Sequence, residues 1–204
     1  MRIISLSDSV KTADDVRNLS KQASGMPLSD AVADLASVMS KSRVGWALCG
    51  GLAVGVHARP RGTDDIDVII ASESYLDAFM TQSAGKFRKT REHAMGHKST
   101  GVEVEILTPE FLKIPSELVA KVIETASLAG VGKSSIPVVS REGLIAMKLC
   151  RGGDYDRGDI KAIIRNGGDV DLSSWPLEQK SKELFAKIMD ELDAEKSPVE
   201  GGNQ

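Results

Sequence analysis

Residues 44–71 read VGWALCGGLAVGVHARPRGTDDIDVIIA, and their order leaves few architectures open. The apolar run at 44–49 is short and reads as a buried strand. Gly50-Gly51 breaks it, and 52–57 has the look of a short helix. Pro60 and Gly62 mark a turn. From Asp65 the pattern alternates, with Ile66, Val68 and Ile70 on one face and Asp65 and Asp67 on the other. Two strands joined through a glycine-entered helix need helices packed on a sheet to cover their apolar faces.

The flanking sequence supplies such helices. Residues 1–43 read as helical, with a boundary at Ser24-Gly25. Pro27-Leu28-Ser29 opens a second helix, in which Ala31, Val32, Leu35, Val38 and Met39 recur at helical spacing. Ser72 caps a helix running to about Gln82. Residues 86–92 and 102–107 read as two strands around a polar connection. A helix starts at Pro115-Ser116, and 136–139 form a short strand. Ser140 caps a helix carrying Leu144, Ile145, Met147 and Leu149. Asp156 caps the next, which ends at Asn166-Gly167-Gly168. A last amphipathic helix spans 177–192. The expected fold class is mixed α/β (α+β), with helical N- and C-terminal segments. The expected division is a helical segment at 1–43, a core at 44–139, C-terminal helices at 140–194 packed on that core, and a disordered tail at 195–204.

Asp65 and Asp67 point together from one strand and repel each other unless a cation sits between them. A hard divalent ion with oxygen ligands is the natural partner. GVEVEIL at 101–107 repeats the pattern, with Glu103 and Glu105 opposite Val102, Val104 and Ile106. Placed beside the first strand, it adds a third carboxylate. Three acids around a metal-bound triphosphate suit an in-line displacement, two holding metal and one taking the acceptor's proton.

The run CGGLAVGVHARPRGTDDIDVII resembles the nucleotidyltransferase superfamily, with its polymerase-β-like fold. In particular it is similar to small bacterial AbiEii-toxin-like and minimal nucleotidyltransferase proteins. The matching residues are Gly50-Gly51, Arg59, Arg61, Thr63 and Asp65-Ile66-Asp67. Val104-Glu105-Ile106-Leu107 matches the family's third-acid pattern with Glu for Asp, which favours Glu105 over Glu103. LIAMKLCRGGDYDRGDIKAIIR resembles a later family segment and singles out Lys148, Arg157 and Asp159. The resemblance spans about 44–166. It implies a nucleotidyltransferase-like mixed β-sheet, a nucleoside triphosphate substrate and Mg²⁺ or Mn²⁺. It implies transfer of a nucleoside monophosphate to an acceptor hydroxyl on transfer RNA, a protein or a small molecule such as an aminoglycoside. It also brings a toxin role with an antitoxin protein as partner. Asp65, Asp67 and Glu105 would hold metal, and Lys148 would meet the triphosphate. Gly50, Gly51, Arg59, Arg61, Thr63, Arg157 and Asp159 would bind nucleotide. Glycines let backbone N–H groups approach phosphate at a helix N-terminus, and cations balance its charge. The alternative is a non-catalytic nucleotide-binding or protein-interaction module on the same fold.

Other signals are weaker. GVGKSS at 130–135 lacks the first glycine of a phosphate loop, since position 127 is serine, and a strand pattern follows; it reads as a turn. His93 and His97 stand four apart beside Gly96 in a strand pattern and do not read as a zinc pair. His57 reads as a helix-end residue or a nucleotide contact. Net charge is −3 and aromatics are 4%, which argues against non-specific binding to nucleic acid. No signal-peptide pattern or membrane-length apolar run appears, so the expected location is cytoplasmic, with Cys49 and Cys150 as reduced, buried thiols.

Overall fold

The computed structural model describes residues 26–40, 42–58, 62–131 and 134–196. Strands β1 (Trp46–Leu48), β2 (Asp65–Ile70), β3 (Phe87–Arg91), β4 (Ala94–His97), β5 (Glu103–Leu107), β6 (Ser127–Val131) and β7 (Ser134–Val138) form one mixed sheet. Their order is β3-β4-β5-β2-β1-β7-β6. β2 and β5 run parallel, as do β1 and β7, while the other neighbours are antiparallel. The helices are α1 (Met26–Met39), α2 (Gly50–His57), α3 (Leu76–Ser83), α4 (Pro109–Leu112), α5 (Ser116–Glu124), α6 (Arg141–Arg151), α7 (Asp154–Gly167) and α8 (Gln179–Lys196). The chain thus has the mixed α/β architecture expected of it.

Alternation decides which face of the sheet is covered. Ile66, Val68, Ile70, Val104 and Ile106 are fully buried on one side. Each contributes on the order of 1.5–3 kcal/mol when removed from water. Trp46, the cross-strand partner of Ile70, meets Phe79 of α3 edge-on at 5.9 Å. Ser83 of α3 donates to Met95 Sδ at 3.0 Å, and Asp34 of α1 bonds His97 Nε2 at 3.0 Å. Helices α1 and α3 therefore cover the aliphatic face, and the acids of β2 and β5 emerge on the other.

The remaining helices follow their end signals. Ser140 Oγ accepts from the Gly143 N–H at 3.1 Å to start α6, and Gly152, at φ +68°, ends it. Arg157 of α7 reaches Glu191 of α8 at 3.0 Å, and Lys161 reaches it at 2.8 Å.

Several elements differ from the sequence reading. The polar connection between the two expected strands contains β4, which has Gly96 and no β-branched residue; pairing with β3 and β5 on its two sides makes it a strand. The sequence reading also omits β6 and the short α4. β6 carries an interior glycine and becomes a strand by pairing with β7. The two ends of GVGKSS lie in paired strands, with Gly130 opposite Ser135 and Val131 opposite Ser134, and its middle lies outside the described residues. α2 begins at Gly50 rather than at residue 52. α7 begins at Asp154 with Gly153 as its cap, so Asp156 is not the capping residue. The expectations for residues 1–25, Arg59, Arg61 and the tail from 197 lie outside the described residues.

Candidate active site

β2 and β5 pair in parallel with Asp65 opposite Glu103 and Asp67 opposite Glu105. Directly paired residues share a face, with strands about 4.8 Å apart. The four carboxylates consequently form a two-by-two array on the face away from α3. The two glutamates differ. Glu103 forms an ion pair with Arg91 of β3. Glu105 is partly buried opposite Asp67.

Asp67 sits under the start of α2. A β-carbon on Gly50 would stand 1.7 Å from its Oδ2, and Gly50 has φ +59°. Only glycine combines that dihedral with that approach. The Gly51 N–H favours the charged form of the Asp67 carboxylate. The helix N-terminus expected to cradle phosphate thus already serves a carboxylate, which suits its positive end. Asp65 is held differently: Thr63 Oγ1 donates to its Oδ1 at 2.7 Å. The Asp67 carboxyl is pushed up to about 6, by burial first and then by the charges of Asp65 and Glu105. The Gly51 N–H and Arg151 pull it the other way.

This arrangement bears on a metal ion. Among the described residues, no three His, Cys, Asp or Glu side chains already converge on one point. The donors of Asp65, Asp67 and Glu105 are all oxygen, however, and their mutual repulsion is what a hard divalent cation relieves. The residues fit such an ion.

Of the expected cations, the two among the described residues are engaged by other carboxylates. The Lys148 ammonium is buried, 3.0 Å from Asp156 Oδ1 and 2.7 Å from Asp159 Oδ2. Arg157 faces Glu191 of α8. Asp159, expected at the nucleotide, is one jaw of the Lys148 clamp. The sequence reading passes over Arg151, one turn beyond Lys148 on α6. Its side chain is 51% exposed, its Nε lies 3.5 Å from Asp156 Oδ2, and its charge lowers the Asp67 pKa. A signal existed: Arg151 immediately precedes Gly152-Gly153, at a helix C-terminus where a cation is favoured.

The histidines are internal ties. His57 Nε2 donates to the Val139 carbonyl at 2.7 Å, at the end of α2. His93 bonds Glu73 and stacks on Phe111 with centroids 4.6 Å apart. His97 bonds Asp34 and Thr100. Neither cysteine is in a disulfide. Burial pushes the Cys49 thiol well up, reinforced by the charge of Asp67. No described helix is long and apolar enough to cross a membrane.

No protein-family model matches the chain, and no curated protein matches it. Solved structures do. An antigenic nucleotidyltransferase-like protein from Paracoccidioides brasiliensis superimposes with a TM-score of 0.56 at 16% identity, over 82% of this chain and 89% of that one. The antibiotic-resistance factor ANT(2'')-Ia, solved with adenylyl-2''-tobramycin, superimposes with a TM-score of 0.46 at 11% identity, over 80% of this chain and 97% of that one. The first of these likenesses establishes a nucleotidyltransferase-like fold.

Proposed function

We propose that this chain moves a nucleoside monophosphate from a nucleoside triphosphate to an acceptor hydroxyl and releases pyrophosphate, with Mg²⁺ or Mn²⁺ held by Asp65, Asp67 and Glu105. The observation that carries this reading is the pairing of Asp67 with Glu105 across two parallel strands, with Asp65 on the same face. The nucleotidyltransferase-like fold supports it. When bound, the cation would add positive charge to the triphosphate at the reacting phosphorus.

The chain's own residues do the rest. Thr63 orients Asp65, and the Gly51 N–H orients Asp67. Glu105 accepts the acceptor's proton as its oxygen bonds the α-phosphorus and the bond to pyrophosphate breaks. Arg151, half exposed beside the acids, meets the triphosphate. Lys148 we assign to architecture: it locks α6 to the first turns of α7 and so sets the place of Arg151. With a net charge of −3, the chain suits a protein or a small hydroxylated molecule as acceptor better than a long phosphate backbone. Cytoplasmic nucleotide pools would supply the triphosphate.

Incubation with labelled NTPs, Mg²⁺ and cell extract tests the reading. Wild type should label an acceptor, and Asp65→Asn and Asp67→Asn should not. Equal labelling by all three removes the proposal. Metal-dependent NTP binding with no labelled acceptor would instead identify a nucleotide-binding module.

A further inference from the structure

We infer that Tyr155 and Gly158, in the first turns of α7, form a shelf on which the base of the nucleoside triphosphate stacks; this rests on the nucleotidyl-transfer reading above. Tyr155 is 89% exposed, more than any other large apolar side chain described. An aromatic ring has much to gain from being covered, and a nucleobase offers a matching π-face. Gly158 stands three residues on, on the same side of the helix. Glycine inside a helix is weaker than alanine, and no packing explains it here. A β-carbon at Gly158 would meet nothing within 4 Å. What the missing side chain does is keep the space beside the ring open. A shallow depression of about 330 Å³ lies there, lined by Asp154, Tyr155, Gly158 and Asp159.

A chain of side-chain contacts links the wall of the shelf to the acids. Asp159, on its wall, holds Lys148 together with Asp156. Asp156 in turn pairs with Arg151, whose charge reaches Asp67. In that chain of contacts the carboxylates, Arg151 and the wall of the shelf come in the order of an NTP, from phosphates to base. Another hollow, of about 480 Å³ between α3 and β3, contains none of these groups.

Calorimetry with Mg²⁺ and two kinds of ligand, each of the four NTPs and inorganic tripolyphosphate, separates base from phosphate. Tyr155→Ala is expected to weaken the preferred NTP about tenfold or more and to leave tripolyphosphate unchanged. Tyr155→Trp should keep NTP affinity. Gly158→Ala should raise the melting temperature while weakening the NTP, a pairing that a purely structural role does not produce. Unchanged NTP affinity in both Tyr155→Ala and Gly158→Ala overturns the shelf and leaves the transferase reading standing. So does equal loss of NTP and tripolyphosphate in Tyr155→Ala. Unchanged NTP affinity with a raised KM for the acceptor moves the ring to the acceptor and also overturns the inference. A wild-type chain that binds none of the NTPs overturns both readings.

Discussion

Asp67 occupies the space in which Gly50 would carry a side chain: an added β-carbon would stand 1.7 Å from Oδ2. The double glycine and the second aspartate are therefore one structural unit. Gly50 lets the chain turn from β1 into α2 at φ +59°, and the turn delivers the Gly51 N–H to the carboxylate.

Gly50→Ala tests that unit. Left-handed backbone costs an alanine roughly 1–2 kcal/mol, and overpacking against Asp67 adds about 1–3 kcal/mol. Urea denaturation should show a loss of about 2–5 kcal/mol, with weakened Mg²⁺-dependent NTP binding. A variant as stable as wild type would show that Asp67 does not lie against Gly50.

The raised pKa of Asp67 makes stability depend on pH. The folded chain keeps to about 6 a proton that the unfolded chain releases near 3.8. Stability from this group is fully present below 3.8, falls as pH rises to about 6, and is level above it. The loss is up to about 3 kcal/mol. Asp67→Asn should thus be more stable than wild type at about pH 8, with the gap closing towards about pH 4. Mg²⁺ should narrow the gap at the higher pH by offsetting the same charge. Denaturation curves at several pH values, with and without Mg²⁺, check this; a gap independent of pH would contradict it.

Lys148→Met removes the cation shared by two buried carboxylates. Breaking a buried pair from one side costs about 3–5 kcal/mol. The expected outcome is a large drop in the urea midpoint. A stable Lys148→Met chain with lost NTP binding would return Lys148 to the triphosphate.

Arg151→Gln is expected to behave in the opposite way. The side chain is half exposed and its contact with Asp156 is long, so stability should change by less than about 1 kcal/mol. Losing a charged hydrogen bond to phosphate costs about 1.5–3 kcal/mol, or roughly ten- to a hundredfold in NTP affinity. Unaltered affinity by calorimetry would take Arg151 out of the site.

The contrast between these two cations shows where the sequence stops being legible. Alternation at 65–70 and 103–107 exposes both acid strands, because burying Ile66, Val68, Val104 and Ile106 forces the carboxylates to the other face. Their adjacency is a matter of topology, set by the parallel pairing of β2 with β5. β4 is hidden because its pairing partners, and not its own residues, make it a strand. Lys148 has the same local pattern whether it faces phosphate or carboxylate. Its partners come eight and eleven residues later, and only the turn at Gly152-Gly153 brings them over it. That turn also takes Asp156 from the capping position that its place in the sequence suggests.

Glu103 and Glu105 look equivalent in GVEVEIL, and the sheet separates them. Glu103 faces Asp65 and is neutralised by Arg91, whereas Glu105 faces Asp67 and adds to its repulsion. Glu105→Gln should therefore abolish transfer to the acceptor. It should also lower the Asp67 pKa, because one of the charges that raises it is gone. Glu103→Gln should keep most of the activity, and its surface ion pair should be worth no more than about 1 kcal/mol of stability. Labelling assays on both variants, with titration of Asp67 followed by NMR, read the two effects separately. Activity retained in Glu105→Gln and lost in Glu103→Gln would move the third acid one pair along the ladder, beside Asp65.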